Sequence, residues 1–188
     1  MKARFALVLL LVVLVGFPAR AEETEARLSL GGFGIGLLSV GTYADYVAAV
    51  LGGGLLAEYT PHRFGRIGVN AQLQGAASIP SSGSLIGSGS SVAALFGLHW
   101  RFSVAPNIAI QPSLGYGVWL HIVDAAADAA EPLPQDRYLD QVLQLSVAAR
   151  WLVGRGEIDF APTYTVLPER DALLQLLGLR VGALYRIR

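Results

Sequence analysis

The 188-residue chain has no cysteine, which excludes a disulfide framework and a cysteine-linked lipid anchor. Its one lysine is Lys2, and its arginines are scattered, so no clustered basic face for a nucleic acid is present. After Ala21 no run of 18 apolar residues occurs, although 53% of all residues are hydrophobic. Membrane-spanning helices are therefore not expected. No metal-ligand spacing, phosphate loop or dinucleotide fingerprint occurs either, and we expect no cofactor.

The first 21 residues have the layout of a cleavable secretory signal. Two basic residues precede an apolar run over 5–17, and Ala19-Arg20-Ala21 follows it as a small-residue cleavage site. The run is shorter than the roughly 20 residues of a spanning helix. We therefore expect residues 1–21 to be removed and residues 22–188 to form one domain. The removed segment holds three of the 14 basic residues and none of the 14 acidic ones, which leaves 11 against 14 and a formal charge of −3.

Apolar and polar residues alternate along most of 22–188. Between Glu157 and Val166, for example, the even positions are apolar and the odd positions are polar or small. A period of two indicates a β-strand with one apolar and one polar face. The pattern predicts eight strands, at 26–38, 46–60, 64–77, 91–103, 107–123, 138–153, 156–167 and 172–187. The apolar face would be the core of a soluble sheet or the lipid-facing side of a membrane barrel, and the period alone does not choose.

The connectors between these strands alternate in length. Those at 60–64, 103–107 and 153–156 are short, whereas 79–90 and 124–137 are long and rich in Gly, Ser, Ala, Pro or acid, which is typical of a membrane barrel. Glycine also recurs on the polar parity, where it leaves room for large neighbours in a narrow interior. These positions are Gly52, Gly54, Gly68, Gly97, Gly115, Gly117, Gly178 and Gly182.

Aromatic residues recur near the short-turn ends of the strands, on the apolar parity. They are Tyr59, Trp100, Phe102, Trp151 and Tyr185. Aromatic rings with one polar edge favour the boundary between hydrocarbon and water. A soluble barrel has no reason to place its aromatics at one level, so these five residues predict an interfacial girdle and favour the membrane alternative.

The predicted hairpins place opposite charges side by side on the polar parity. Their turn lengths set Arg150 opposite Asp159, bring Arg180 to Asp159, and set Glu58 opposite Arg66. Charges away from water need partners, because an unpaired buried charge is costly. We therefore predict an interior ion network of Arg150, Asp159 and Arg180, with Glu58 and Arg66 as a second pair, in the half of the barrel near the short turns.

The end of the chain resembles the sorting signal of outer-membrane barrels. Arg180, Gly182, Tyr185 and Ile187 match its polar, glycine, aromatic and hydrophobic positions in order. Together with the secretory signal and the eight alternating segments, this makes 22–188 similar to small barrels of the OmpA/OmpX kind. The resemblance implies an all-β, eight-stranded antiparallel up-and-down transmembrane β-barrel in the cell outer membrane of a Gram-negative bacterium. It also implies contact with outer-membrane lipid and lipopolysaccharide, passage through the barrel-assembly machinery, and a monomeric state.

The predicted function is a structural or surface-interaction role, with an interior filled by arginines and carboxylates and closed to transport, because eight strands leave room only for side chains. We expect no enzymatic activity. A hydrolase would need a nucleophile such as Ser113 beside a base held by a third group, and no carboxylate lines up with His99. The alternatives are a lipid-modifying outer-membrane barrel enzyme and a soluble periplasmic barrel that binds a small apolar ligand.

Two prolines are unfavourable for a regular barrel. Pro112 and Pro162 lie inside predicted strands, where each removes a ladder hydrogen bond. Both fall on the outward parity, and we expect a local bulge at each of them.

Overall fold

The computed structural model describes residues 26–61, 66–84, 86–125, 136–168 and 173–187. They form β1 (Arg27–Val40), a 3-10 helix (Gly41–Asp45), β2 (Val47–Thr60), β3 (Ile67–Pro80), β4 (Ile86–Trp100), β5 (Phe102–Ala105), β6 (Ile108–Ala125), β7 (Asp136–Val153), β8 (Gly156–Pro168) and β9 (Leu173–Arg186). β4 and β5 both pair with β6 and form one barrel strand. β1 pairs with β9, so the antiparallel sheet is closed. The predicted all-β, eight-stranded antiparallel barrel is confirmed. Among the described residues, no helix has the length and apolar character to cross a bilayer.

The two faces of the wall differ as the alternation predicted. From Gln141 to Arg150, exposed and buried residues alternate without exception, because successive side chains of a strand point to opposite faces. The exposed face of the barrel carries large apolar side chains, including Phe96, Leu139 and Leu55. The buried face carries most of the charged and amide groups.

The connector predicted at 79–90 is shorter than expected. β3 continues to Pro80 and β4 begins at Ile86, and a tight turn closes on the Ser84 amide, which donates to the Ser81 carbonyl at 3.1 Å. Gly83 has a φ of 78°, a conformation that favours glycine. The sequence after residue 85 is small and polar like a loop, but backbone pairing with β6 makes it a strand. Of the other long connector, residues 126–135 lie outside the described residues.

The hairpin registers decide which inward residues are neighbours. Gly154 and Arg155 form a two-residue turn, and Arg150 lies opposite Asp159. Between β8 and β9 the register differs by two residues from the prediction, because Asp159 faces Gly182. Between β2 and β3 the three-residue turn is wrong, since residues 61–66 separate the strands. Glu58 therefore faces Asn70.

The two prolines interrupt the wall without inserting a residue. Pairing of β6 with the fourth barrel strand stops at Ser113 opposite His99 and resumes at Ile110 opposite Phe102, which divides that strand into β4 and β5. Pro112 therefore has no partner on this side, although it pairs with Val147 of β7 on the other. Between β7 and β8, no pairs form from Val147 and Ala148 to the segment that contains Pro162. The registers are unchanged on both sides of each gap, so the expected bulges are wrong. Each proline leaves a gap because it has no N–H to donate.

Candidate functional site

The interior of the barrel has two chemically different halves. The turn end, defined here as the end with the Gly154-Arg155 turn and residues Arg27 and Arg186, holds the charged side chains. A buried apolar cluster lies mostly toward the loop end, which carries the 3-10 helix, although its member Leu184 lies opposite Glu157. This cluster contains Phe33, Ile35, Leu37, Val47, Val50, Leu56, Ala93, Leu95, Trp119, Val142, Leu167, Leu176 and Leu184.

Arg150 is the centre of the charged half. Its Nη2 donates to Glu58 Oε1 at 2.7 Å, and its Nη1 donates to Glu58 Oε2. The same guanidinium contacts Asp159 and Glu157, each at 3.3 Å. Arg180 holds the other side of Asp159 with two hydrogen bonds of 3.2 Å. Arg150 is 1% exposed and Asp159 is 0% exposed, so these ions rely on one another for the interactions that water would otherwise supply.

Glu157 forms a second centre closer to the turn end. Arg101 donates to both of its oxygens, at 2.9 and 3.2 Å. Arg27 and Arg186 approach the same carboxylate at 3.5 and 3.3 Å. Glu157 is 1% exposed, and its arginines come from strands on several sides of the lumen. They surround this carboxylate near the turn end.

The sequence-predicted network is therefore partly rearranged. Arg150, Asp159 and Arg180 lie together, and Glu58 joins them across the lumen. Arg66 does not face Glu58; its guanidinium lies 5.9 Å from the centre of the Phe102 ring. Glu157 and Arg101 were missed, although both fall on the inward parity. Hairpin register relates only adjacent strands, and these contacts cross the lumen.

Amide side chains connect the charged network to the middle of the barrel. Gln72 accepts from Arg180 Nη1 at 3.0 Å and donates to Gln144 at 2.9 Å. Gln144 in turn donates to Thr165 at 3.2 Å, and Gln111 donates to Glu58 at 2.9 Å. These bonds join β3 to β7 and β2 to β6 through the lumen.

The inward glycines make room for the side chains that fill the interior. A Cβ at Gly54 would lie 2.8 Å from Phe33 Cζ, and the Phe33 ring lies 5.6 Å from the guanidinium carbon of Arg180. A Cβ at Gly68 would collide with the His99 ring. At these positions the absence of a side chain lets the ring of the paired residue on the adjacent strand lie over the glycine.

The aromatic residues near the turn end divide into two groups. Tyr59, Trp151 and Tyr185 are 44%, 58% and 55% exposed on the outer face. Trp100 is half-buried. Phe102 is only 9% exposed, so its place in an exposed girdle is wrong; it lies next to the Pro112 gap and under Arg66. Of the proposed sorting signal, Tyr185 and Ile187 are exposed and Arg180 is buried inside.

The histidines and Ser113 do not form a catalytic arrangement. His99 lies opposite Ser113 in the register of β4 and β6. However, its Nε2 pairs with the Thr60 hydroxyl at 3.0 Å, and the Ser113 hydroxyl pairs with Ser146 at 2.7 Å. His121 lies 3.8 Å from Asp140. His62 lies outside the described residues, and within the described part of the chain no His, Cys, Asp and Glu cluster could hold a metal ion.

No protein-family model matches the chain, and no curated protein matches it. Its backbone is similar to those of several solved outer-membrane proteins. Ail, the attachment invasion locus protein of Yersinia pestis, has 16% identity and a TM-score of 0.51 over 88% of this chain and 100% of that one. Neisserial surface protein A has 8% identity and a TM-score of 0.53, over 86% of this chain and 99% of that one. A major outer membrane protein of Thermus thermophilus has 15% identity and a TM-score of 0.55, over 87% of this chain and 100% of that one.

The chain has the fold of the small eight-stranded outer-membrane β-barrels. The identities are low, so the likeness concerns the fold. What the barrel does must be argued from its own surfaces and interior.

Proposed function

We propose that this protein is a resident β-barrel of the Gram-negative outer membrane, closed to transport, with a structural or surface-interaction role. Its direct partners in this proposal are outer-membrane lipid and lipopolysaccharide on its wall, and the barrel-assembly machinery during insertion. It acts as a monomer, and no enzymatic step is assigned to it.

The observation that carries the membrane location is the inverted distribution of polarity. Phe96, Leu139 and Leu55 are 71%, 68% and 66% exposed on the outer face, while Arg150 and Asp159 are almost completely buried. A soluble protein buries its large apolar side chains and almost never fully buries charged ones unless they are paired. In a bilayer the outer face is covered by hydrocarbon and the polar face lines the interior. The soluble periplasmic alternative would leave this apolar wall in water.

The side chains inside the barrel support the proposal of a closed interior. The Arg150–Glu58 and Gln72–Gln144 hydrogen bonds cross the lumen. Beyond them, most of the apolar cluster lies toward the loop end, and Tyr43 of the 3-10 helix packs against it. An eight-stranded interior is just wide enough for side chains. Ions would have to pass both an ion-paired layer and an apolar layer.

Membrane fractionation tests the location. We expect the protein in the outer-membrane fraction, resistant to alkaline wash, and we expect unboiled samples to migrate faster than boiled ones in detergent gels. The shift reports a barrel that stays folded in detergent. Recovery in the soluble periplasm with one mobility in both samples would contradict the proposal.

Planar-bilayer recording tests the closure. We expect no reproducible conductance steps from the purified barrel, because its lumen is occupied by its own side chains. A sixteen-stranded porin added to the same bilayer serves as the control, since barrels of that size leave an aqueous channel. Stable steps from this protein before the porin is added would show that the interior is open.

A further inference from the structure

The two proline gaps flank a groove on the outer face of the barrel. It has a volume of about 320 Å³ and extends across strands β6, β7 and β8, from Trp100 of β4 to Leu177 of β9. Leu114, Leu145, Tyr164 and Leu177 lie level with one another in register and form one side. Trp100 and the two prolines lie on the other side. A volume near 300 Å³ is at the lower end of the range for small-ligand pockets.

The floor of the groove is the barrel wall at three small residues whose side chains have the inward parity and whose polar groups are already bonded. Ser113, Ser146 and Thr163 are consecutive in register across β6, β7 and β8. The Ser113 and Ser146 hydroxyls bond each other at 2.7 Å, and Thr163 donates to the Ala161 carbonyl at 3.0 Å. The remaining lining is aliphatic and aromatic. The groove thus suits an occupant that makes no hydrogen bonds.

The position of the groove indicates which hydrocarbon it takes. Trp100 lies opposite Ile67, the first residue of β3, and so toward the turn end, where Tyr59, Trp151 and Tyr185 are also found. Tryptophan favours the membrane interface, so the groove starts at interfacial depth and continues toward the middle of the wall. If the chain is in the outer membrane as proposed above, lipid chains cover this face and lie directly over the groove.

We infer that the groove between Trp100 and Leu177 is a specific binding site for one acyl chain of a phospholipid from the leaflet at the turn end. The site exists because Pro112 and Pro162 each remove a ladder hydrogen bond, which opens the pairing on the two outer sides of the β6–β7 pair, toward β4 and toward β8. A chain lying in the groove touches protein on its floor and both sides. A chain elsewhere on the wall touches one convex surface, so it exchanges more quickly.

Two tryptophans in one protein allow the two kinds of lipid contact to be compared. Trp100 lines the groove, whereas Trp151 is exposed on the wall and does not line it. Single-tryptophan proteins are made as Trp119→Phe/Trp151→Phe, which keeps Trp100, and Trp100→Phe/Trp119→Phe, which keeps Trp151. Each is folded into vesicles of dibrominated phosphatidylglycerol, whose bromines quench tryptophan fluorescence on contact. The samples are then diluted into a large excess of bromine-free detergent.

We expect both tryptophans to be quenched in the vesicles, and Trp100 to recover at least tenfold more slowly than Trp151 after dilution. Val147→Phe, which fills the groove, should make Trp100 recover as quickly as Trp151. The matched control is Val118→Phe, which also lies on the outer face of the barrel, on the adjacent strand β6, but outside the groove. It should leave the slow recovery intact. If Val147→Phe loses the heat-dependent mobility shift, Leu177→Trp read by native mass spectrometry for a retained phospholipid replaces it.

Equal recovery of Trp100 and Trp151 in the parent proteins would overturn the site, and so would slow recovery that persists when the groove is filled. Failure of the membrane location looks different. In that case Trp151 would not be quenched in the vesicles at all.

Discussion

Replacing Arg150 by methionine is expected to lower the free energy of unfolding by about 3–5 kcal/mol, the cost of breaking a buried ion pair by removing one partner. Asp159 would keep Arg180, and Glu157 would keep Arg101. Among the described residues, Glu58 would keep the Gln111 amide as its hydrogen-bond partner, as a buried carboxylate with no cation in direct contact. Urea titration of the barrel in lipid vesicles, followed by tryptophan fluorescence, measures the change.

Arg155→Met is the matched control, because Arg155 is exposed in the turn after β7, and exposed substitutions typically change stability by no more than about 0.5 kcal/mol. Combining Arg150→Met with Glu58→Gln should cost about 0.5–3 kcal/mol less than the sum of the two single changes, as for directly contacting residues. If Arg150→Met is as mild as its control, or the two changes are additive, then the Arg150–Glu58 pair does not carry the stability assigned to it.

Replacing Leu55 by arginine is expected to cost about 2–4 kcal/mol in phospholipid vesicles, as for a cation on the lipid-facing side of a barrel near the bilayer midplane. Leu55 is 66% exposed, and its neighbours across the ladder are Gly32 and Leu73 in the middle of the wall. The substitution removes no interior contact. Any large loss of stability must therefore come from placing the charge in hydrocarbon.

The matched control is Leu139→Arg, which has nearly the same exposure at 68% but lies at the loop end of β7. There the cost should fall to about 0–1 kcal/mol, because it declines toward the interface. On a soluble surface the two substitutions would be equally mild. Equal effects at Leu55 and Leu139 would therefore argue against the bilayer around this wall.

Local sequence pattern was sufficient for the strands and for one hairpin. A period of two depends only on which side of the wall each residue faces, so the inward parity of Arg150, Asp159 and Arg180 could be read directly. The Gly154-Arg155 turn is short, and its length fixes the register on both sides. The predicted connector after Thr60 is too short. Every pairing inferred from its length, including that of Glu58 with Arg66, is therefore wrong.

The sequence pattern could not predict contacts across the lumen. Glu58 and Arg150 are 92 residues apart in sequence, and nothing in either strand indicates how far around the barrel its partner lies. The strand after residue 85 was hidden for a different reason. Its pairing with β6 is made by backbone groups, which every residue type except proline can supply. The amino-acid composition describes only the side chains, so this glycine- and serine-rich segment resembled a loop.

The pairing of β1 with β9 has a consequence for how the molecule is made. Twelve residues of β1, from Ser29 to Val40, find their partners between Gln175 and Arg186, almost the full length of the chain away. Contacts between residues so far apart in sequence form slowly, because most of the chain must lose conformational entropy before these contacts can stabilise it. Until then both terminal strands present unpaired edges that invite pairing with other chains. The pairing of β1 with β9 is thus the last part of the barrel to form. A nascent chain that still lacks β9 has an open sheet with unpaired edges, which must be shielded from other chains.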